Sequence, residues 1–514
     1  MNIFSLRLSV LAVMGATLFG CASTSTEPNT PVAPQKTVTA PAPAPIVVLK
    51  GVTLSGIVGT GNANIRVAVF DAQGNRNSVV SDDKGNFTLS VDGLVAPLML
   101  VAEVAGHQYV SLVADPVGPT KANINALTDW IASGIALKAK FAGPEEMASK
   151  GKAPAVSAND LKAKTAALNE LIGGALKEVH AVDANYFDPV SSQSAGVQDI
   201  LKLIRHNRGY ASSQGKRGGT SIFDSNFREI SKFSPLNLAK AQAEQKEIAA
   251  KGVTRVFVAG DSTASNYDVD VAPRMGWGQV FDRQFKAGAK VKVVNVAQSG
   301  RSSRSFINEG WFDMIAADIR KGDYLLVQFG HNDEKCGEEP ARPAPARDVI
   351  DIANLCTYPG NDAAIPADMS FRKNLEKYIA LARKVGATPV LLTPQTRRSF
   401  KNGTIGATTH TWGKGKFPGD YSQTIRDTAK ANKVALVDMD VKTMAFFNKI
   451  GEEGSLDYYL AVDPAKYPFY DAKTTGNRNK PDNTHMQEKG AEAMGHLIAQ
   501  GLKEDKLPLA KLLK

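Results

Sequence analysis

The second half of the chain constrains the fold most. After residue 252, short apolar runs alternate with stretches of amphipathic, helical spacing. Runs at 255–259, 290–296, 324–329, 388–392 and 434–437 are rich in Val, Leu and Phe and read as strands, and those at 312–320, 371–385, 421–430 and 488–503 read as helices. Near-continuous apolar strands are those buried on both faces. Strands separated by helices predict a parallel sheet covered on each side, so the expected fold over 251–514 is a three-layer α/β domain.

Strands of such a sheet present their carboxyl ends along one edge, and that edge is where polar groups converge into a site. Four of the strands end in polar residues: Gly260-Asp261-Ser262-Thr263, Asn295 through Gln298-Ser299-Gly300-Arg301, Gly330-His331-Asn332-Asp333, and Thr393 through Arg397-Arg398. Ser262 is the candidate nucleophile. A serine hydroxyl is weakly nucleophilic until a neutral imidazole takes its proton. Of seven histidines, His485 in Pro481-Asp482-Asn483-Thr484-His485 is the candidate base, with Asp482 to orient it. An oxyanion hole needs N–H donors, which the Ser262 backbone, the Gly300 backbone and the Asn332 amide would supply. Each element taken singly also fits a turn or a helix cap.

In this order the blocks Gly260-Asp261-Ser262, Gly300, Gly330-His331-Asn332-Asp333 and Asp482-Asn483-Thr484-His485 resemble those of the SGNH, or GDSL-type, hydrolases. Gly-Asp-Ser-Thr, Arg301-Ser302, Arg304-Ser305 and Phe329-Gly330-His331-Asn332-Asp333 resemble the rhamnogalacturonan acetylesterase branch, carbohydrate esterase family 12. The resemblance covers about half of the chain and implies a flavodoxin-like parallel sheet. It implies Ser262, His485 and Asp482 as a catalytic triad, and Ser262, Gly300 and Asn332 as the oxyanion hole. It implies no cofactor and no metal. The implied reaction is release of acetate from an acetylated polysaccharide, pectic rhamnogalacturonan first. Acetylated xylan, a broader esterase or lipase activity, and a binding lipoprotein with an inactive hydrolase domain are the alternatives. Arg301, Arg304, Arg397 and Arg398 are candidates to meet uronate carboxylates, which guanidinium forks pair well with. Arg301 and Arg304 are equally suited to bracing the loops. His410, in an irregular glycine-rich stretch, is a further candidate for substrate contact.

The rest of the chain reads as accessory. Residues 1–20 carry a basic start and an apolar run, the pattern of an export signal. Its end, Leu18-Phe19-Gly20-Cys21, resembles a lipobox, which implies lipidation of Cys21. Ala22 after the cysteine implies sorting to a bacterial outer membrane, on the periplasmic side or the cell surface. Residues 21–50, rich in Ser, Thr, Pro and Ala, predict a disordered tether. In an exported protein the remaining pair, Cys336 and Cys356, is most simply a disulfide. Residues 51–115 alternate and turn often, predicting a β-sandwich. Asp82-Asp83-Lys84-Gly85-Asn86-Phe87 there resembles the hairpin of carboxypeptidase regulatory-like domains, which are mostly spacers or binding modules. Residues 116–250 carry helical spacing and predict a helical region. The net charge of +10 is modest for 514 residues and comes with no nucleic-acid motif, so no nucleic-acid partner is expected. The partners that the resemblances imply are an acetylated polysaccharide or oligosaccharide and, through Cys21, a membrane.

Overall fold

A computed structural model describes residues 48–104, 107–141, 143–188, 194–208, 220–336, 355–413, 415–471 and 473–514. The signal sequence, Cys21 and all of the tether up to residue 47 lie outside the described residues, as does 337–354 between the cysteines.

Two Asp-x-x-Gly-Asn turns shape the first described region. Asp71 accepts the Gln73 and Asn75 backbone N–H groups at 2.8 Å each, and Asp82 accepts those of Lys84 and Asn86 at 2.9 and 2.8 Å. Each aspartate closes a tight turn with its own side chain, which is why the motif recurs between strands. The strands are β1 (Thr53–Ile57), β2 (Arg66–Phe70), β3 (Arg76–Val80), β4 (Asn86–Ser90), β5 (Leu98–Val104), β6 (His107–Val113) and β7 (Pro119–Lys121). They form two sheets, β4-β1-β7 and β3-β2-β5-β6. Leu54, Phe87 and Leu89 from one sheet and Val67, Val69 and Leu100 from the other share one core, so the pair is a sandwich. The alternate residues of β5 and β6, Met99, Val101, Val110 and Leu112, pack outward against the helix Ala126–Lys138 and the helix Pro144–Ser149. Burial on both faces explains the unbroken apolar run of β5.

The region 116–250 is not wholly helical, a correction to the expectation. Alongside helices Ala158–Glu178, Ala195–Leu203 and Leu238–Ala249 it contains β7 and an antiparallel pair, β8 (Arg205–Arg208) and β9 (Thr220–Phe223). β8 is polar and shows no apolar alternation; its pairing with β9 is set by tertiary contacts. Asp129, fully buried, accepts the Val110 N–H and the Thr220 hydroxyl, so one carboxylate ties β6 to β9. Phe223 then enters the core of the second half, edge-on to Trp311 with ring centroids 5.3 Å apart.

The second half is built on β10 (Thr254–Gly260), with β11 (Arg274–Met275) in the loop that follows, then β12 (Val291–Asn295), β13 (Tyr324–Gln328) and β14 (Thr388–Leu392). A short antiparallel pair, β15 (Thr411–Trp412) and β16 (Gly419–Asp420), precedes the last parallel strand, β17 (Ala435–Val437), and β18 (Met486–Gln487) pairs with β11. The five-stranded sheet has order β12-β10-β13-β14-β17, parallel throughout. This is the flavodoxin-like order, whose switch point lies between the first and third strands. Alternate residues face opposite layers. Phe257, Val294, Leu325 and Leu391 meet helices Trp311–Asp318, Phe371–Val385 and Tyr421–Asn432. Val256, Val258, Leu326 and Leu392 meet Trp277, Phe447 and the closing helix Glu488–Glu504. The α/β expectation holds. Helices Ser303–Asn308 and Met439–Gly454 are additions that the sequence reading lacked.

Candidate active site

Ser262 stands two residues past β10, at the switch point. Asp261 forms the turn: its carboxylate accepts the Thr263 N–H at 2.9 Å and the Thr263 hydroxyl at 2.8 Å. The hydroxyl of Tyr267 donates to the Ser262 carbonyl at 2.7 Å. The backbone of this candidate nucleophile is thus held from both sides while its side chain is left to turn toward a base.

The candidate base comes from the far end of the chain. His485 Nε2 lies 3.0 Å from Ser262 Oγ, and His485 Nδ1 lies 2.8 Å from Asp482 Oδ2. The other oxygen of Asp482 accepts the Thr484 and His485 backbone N–H groups at 2.7 and 3.0 Å, which curls the loop so that acid and base face each other. The loop is pinned by Leu460, whose N–H donates to the His485 carbonyl and whose carbonyl accepts the Asp482 N–H. Pairing of β18 with β11 continues the clamp immediately after His485. Burial raises the Asp482 carboxyl, but the facing His485 and the three hydrogen bonds outweigh it and hold it well below the usual carboxylate range. Burial, then the nearby Arg274 cation, lowers His485 below the ordinary histidine value, against the pull of Asp482. The imidazole is therefore neutral at pH 7 with Nε2 aimed at the serine, the state a general base needs.

Three N–H groups beside Ser262 are left without acceptors among the described residues: those of Ser262 and Gly300 and the second amide hydrogen of Asn332. Gly300 has φ +79°, a conformation that a side chain disfavours. Asn332 donates one amide hydrogen to the Arg301 carbonyl at 3.0 Å, while its oxygen accepts from Lys335 Nζ at 2.7 Å. Lysine can only donate, so this contact fixes which end of the amide is nitrogen. Next to it, Asp333 is fully buried and accepts from Ser303 N–H, Ser303 Oγ and Thr357 Oγ1. Burial, against these bonds, pushes its carboxyl up to about 7.

The structure corrects the assignment of substrate contacts. His410 has no exposed surface: its ring lies between Glu334, 3.2 Å from Nδ1, and the Gln395 carbonyl, 2.9 Å from Nε2. Arg301 is equally enclosed, its Nε 2.6 Å from Glu309 and its Nη1 donating to the Ser299 carbonyl. Neither can meet a polymer. Arg304 pairs with Asp368, Arg397 with Glu334, and Arg398 with Ser455 and Glu452. These forks are committed to holding the site's loops together. Cys336 and Cys356 are joined in a disulfide.

Sequence reasoning missed Tyr267, Lys335, Glu334 and Arg274. Lys335 and Glu334 sit within three residues of Asn332, so proximity to that block was an available signal. Tyr267, five residues after Ser262, offered the same kind of signal more weakly, and Arg274 offered none, since only folding brings it beside His485.

The GDSL-like Lipase/Acylhydrolase family model matches residues 258–493. Over 256 residues the chain is 35% identical to the rhamnogalacturonan acetylesterase RhgT of Bacillus subtilis (strain 168), spanning 50% of this chain and 92% of that protein. It is 32% identical over 256 residues to the probable rhamnogalacturonan acetylesterase YesY of the same organism, spanning 50% of this chain and 95% of that one. A solved structure of the Bacillus subtilis protein YxiM is 22% identical and aligns over 57% of this chain and 66% of its own, at a TM-score of 0.37 that is too loose to bear weight. With the matched segment running from β10 through the closing helix, this chain belongs to the GDSL-like lipase/acylhydrolase family.

Proposed function

We propose that this protein is a serine esterase that removes O-acetyl groups from plant cell-wall polysaccharide, rhamnogalacturonan in particular. The observation that carries the chemistry is the line from Ser262 Oγ to His485 Nε2 at 3.0 Å and from His485 Nδ1 to Asp482 at 2.8 Å. Ser262 Oγ attacks the acetyl carbonyl carbon as His485 Nε2 takes its proton. Negative charge gathers on the carbonyl oxygen, where the N–H groups of Ser262 and Gly300 and the Asn332 amide receive it. His485 gives the proton to the departing sugar oxygen, leaving acetyl on Ser262. Water, deprotonated by the same imidazole, releases acetate. Asp482 orients the ring and stabilises the imidazolium. The substrate reading is supported by the relatives RhgT and YesY, whose names carry rhamnogalacturonan acetylesterase activity.

We further propose that Cys21 is lipidated and anchors the protein to a bacterial outer membrane, with the sandwich over 51–115 as a spacer or binding module. The support is the residue pattern Leu18-Phe19-Gly20-Cys21 and the low-complexity stretch after it. Membrane fractionation of Cys21→Ala tests this, and unchanged sedimentation with membranes refutes it.

Acetate release from acetylated rhamnogalacturonan, acetylated xylan and 4-nitrophenyl acetate, with Ser262→Ala alongside, tests the activity. Release from the first and third by wild type alone is expected. Release from xylan but not pectin would overturn the substrate and leave the mechanism. Inactivity of both proteins on all three would leave only a carbohydrate-binding role.

A further inference from the structure

The arginines that the sequence offers for recognising an acidic sugar each pair with a carboxylate of the protein, whereas Arg274 does not. It lies on β11, opposite Gln487, with Met275 opposite Met486, the residue that follows His485. Its guanidinium carbon stands 4.4 Å from the centroid of the Tyr267 ring, and the hydroxyl of that ring holds the Ser262 carbonyl. The cation is therefore propped on an aromatic face between the nucleophile's turn and the base's strand. No Asp or Glu pairs with it among the described residues, and its Nε is buried with no hydrogen-bond partner.

This arrangement is costly without a ligand. A partly buried guanidinium whose Nε is unsatisfied loses water and gains only the ring face and hydroxyl of Tyr267 in return. Its charge also depresses His485, weakening the base on which the reaction depends. A planar carboxylate arriving from outside would satisfy the donors bidentately and neutralise that charge. A neutral sugar would do neither.

We infer that Arg274 is a specificity-determining residue that binds a uronate carboxylate of the substrate, on the acetylated sugar or its neighbour. The inference rests on the reading of this site as a sugar O-acetylesterase and names the group by which it selects an acidic polymer.

The test uses two small esters that differ only in the group in question: an O-acetylated methyl galacturonoside and the matching O-acetylated methyl galactoside. The readout is the ratio of their kcat/KM values. Wild type is expected to favour the uronate by about tenfold or more, the scale of one charge-assisted contact. Arg274→Ala brings the ratio near unity, mainly through KM for the uronate, and Arg274→Lys keeps part of it. Raising the salt concentration lowers the wild-type ratio, a measurement independent of any variant's folding. A wild-type ratio near one overturns the inference, as does an equal loss on both esters in Arg274→Ala. Those outcomes leave the esterase reading intact. A wild type that cleaves neither these esters nor 4-nitrophenyl acetate sinks the esterase reading, and this inference with it.

Discussion

Two histidine–carboxylate chains flank Ser262, alike in composition and different in reach. In one, Asp482 holds His485, which touches Ser262 Oγ. In the other, Asp261 faces His331 at 3.4 Å, His331 packs edge-on to His410 with centroids 4.5 Å apart, and Glu334 joins His410 to Arg397. The first set keeps some surface, with the His485 side chain 21% exposed, while the His331 side chain is 2% exposed. His331 has no hydrogen bond at either ring nitrogen, and burial holds it down to about 4. It is a neutral packing element beneath the loops. A histidine beside a carboxylate is not by itself a base; contact with the nucleophile and a route for the substrate make it one.

The difference is sharpest in catalysis. His485→Ala and Ser262→Ala are each expected to lower kcat by roughly 10⁵-fold with folding unchanged, because the pair acts as a unit. Asp482→Asn follows at roughly 10⁴-fold, since the ring then loses its tautomer and the charge that stabilises it. His331→Asn is expected to lower kcat by less than about tenfold, and to act on stability through the packing lost. A loss from His331→Asn as large as that from His485→Ala, measured on 4-nitrophenyl acetate, would erase the distinction between the two chains.

Stability gives the next contrast. Glu334→Gln leaves Arg397 without its carboxylate and is expected to cost about 3 kcal/mol in urea unfolding, with kcat kept within about tenfold. Removing the cysteine pair by Cys336→Ser and Cys356→Ser opens a link across 20 residues and is expected to cost about 2–3 kcal/mol. If Glu334→Gln instead abolished turnover in a fully folded protein, the second chain would have to be given a part in the chemistry.

The sequence exposed the first chain better than the second for a physical reason. Ser262, Asn332, Asp482 and His485 lie in short loops after strands or before the closing helix, and the strand pattern is local enough to be read. The roles of Arg301 and His410 depend on burial and on Glu309 and Glu334, contacts that composition does not carry. A charged residue next to a site looks the same whether it faces substrate or a carboxylate inside the protein. The same limit explains β8, whose Arg205-His206-Asn207-Arg208 is strand only because β9 lies beside it. It also explains β5, whose unbroken apolar run reflects helices packed on its outer face. Asn207 shows how far such contacts reach: its amide donates to the Glu309 carbonyl at 3.0 Å, linking the accessory region to the residue that holds Arg301.

The smallest expected effect lies in the pH profile, and it separates the two chains without disabling either. His485 must be neutral to accept the proton of Ser262, so kcat/KM rises with pH as its imidazolium deprotonates. Burial first, then Arg274, favours the neutral ring, while Asp482 and Asp261 favour the charged one, and the balance is a lowered pKa. A lowered pKa keeps the base neutral to lower pH, so the rising limb should have its midpoint below the ordinary histidine value of 6.5. His331 is already neutral across that range, so His331→Asn should leave the midpoint where it is and the limb should show one ionisation. A limb of slope two, or a midpoint that moves in His331→Asn, would mean that the buried chain shares protons with the catalytic one and that the two do not act separately.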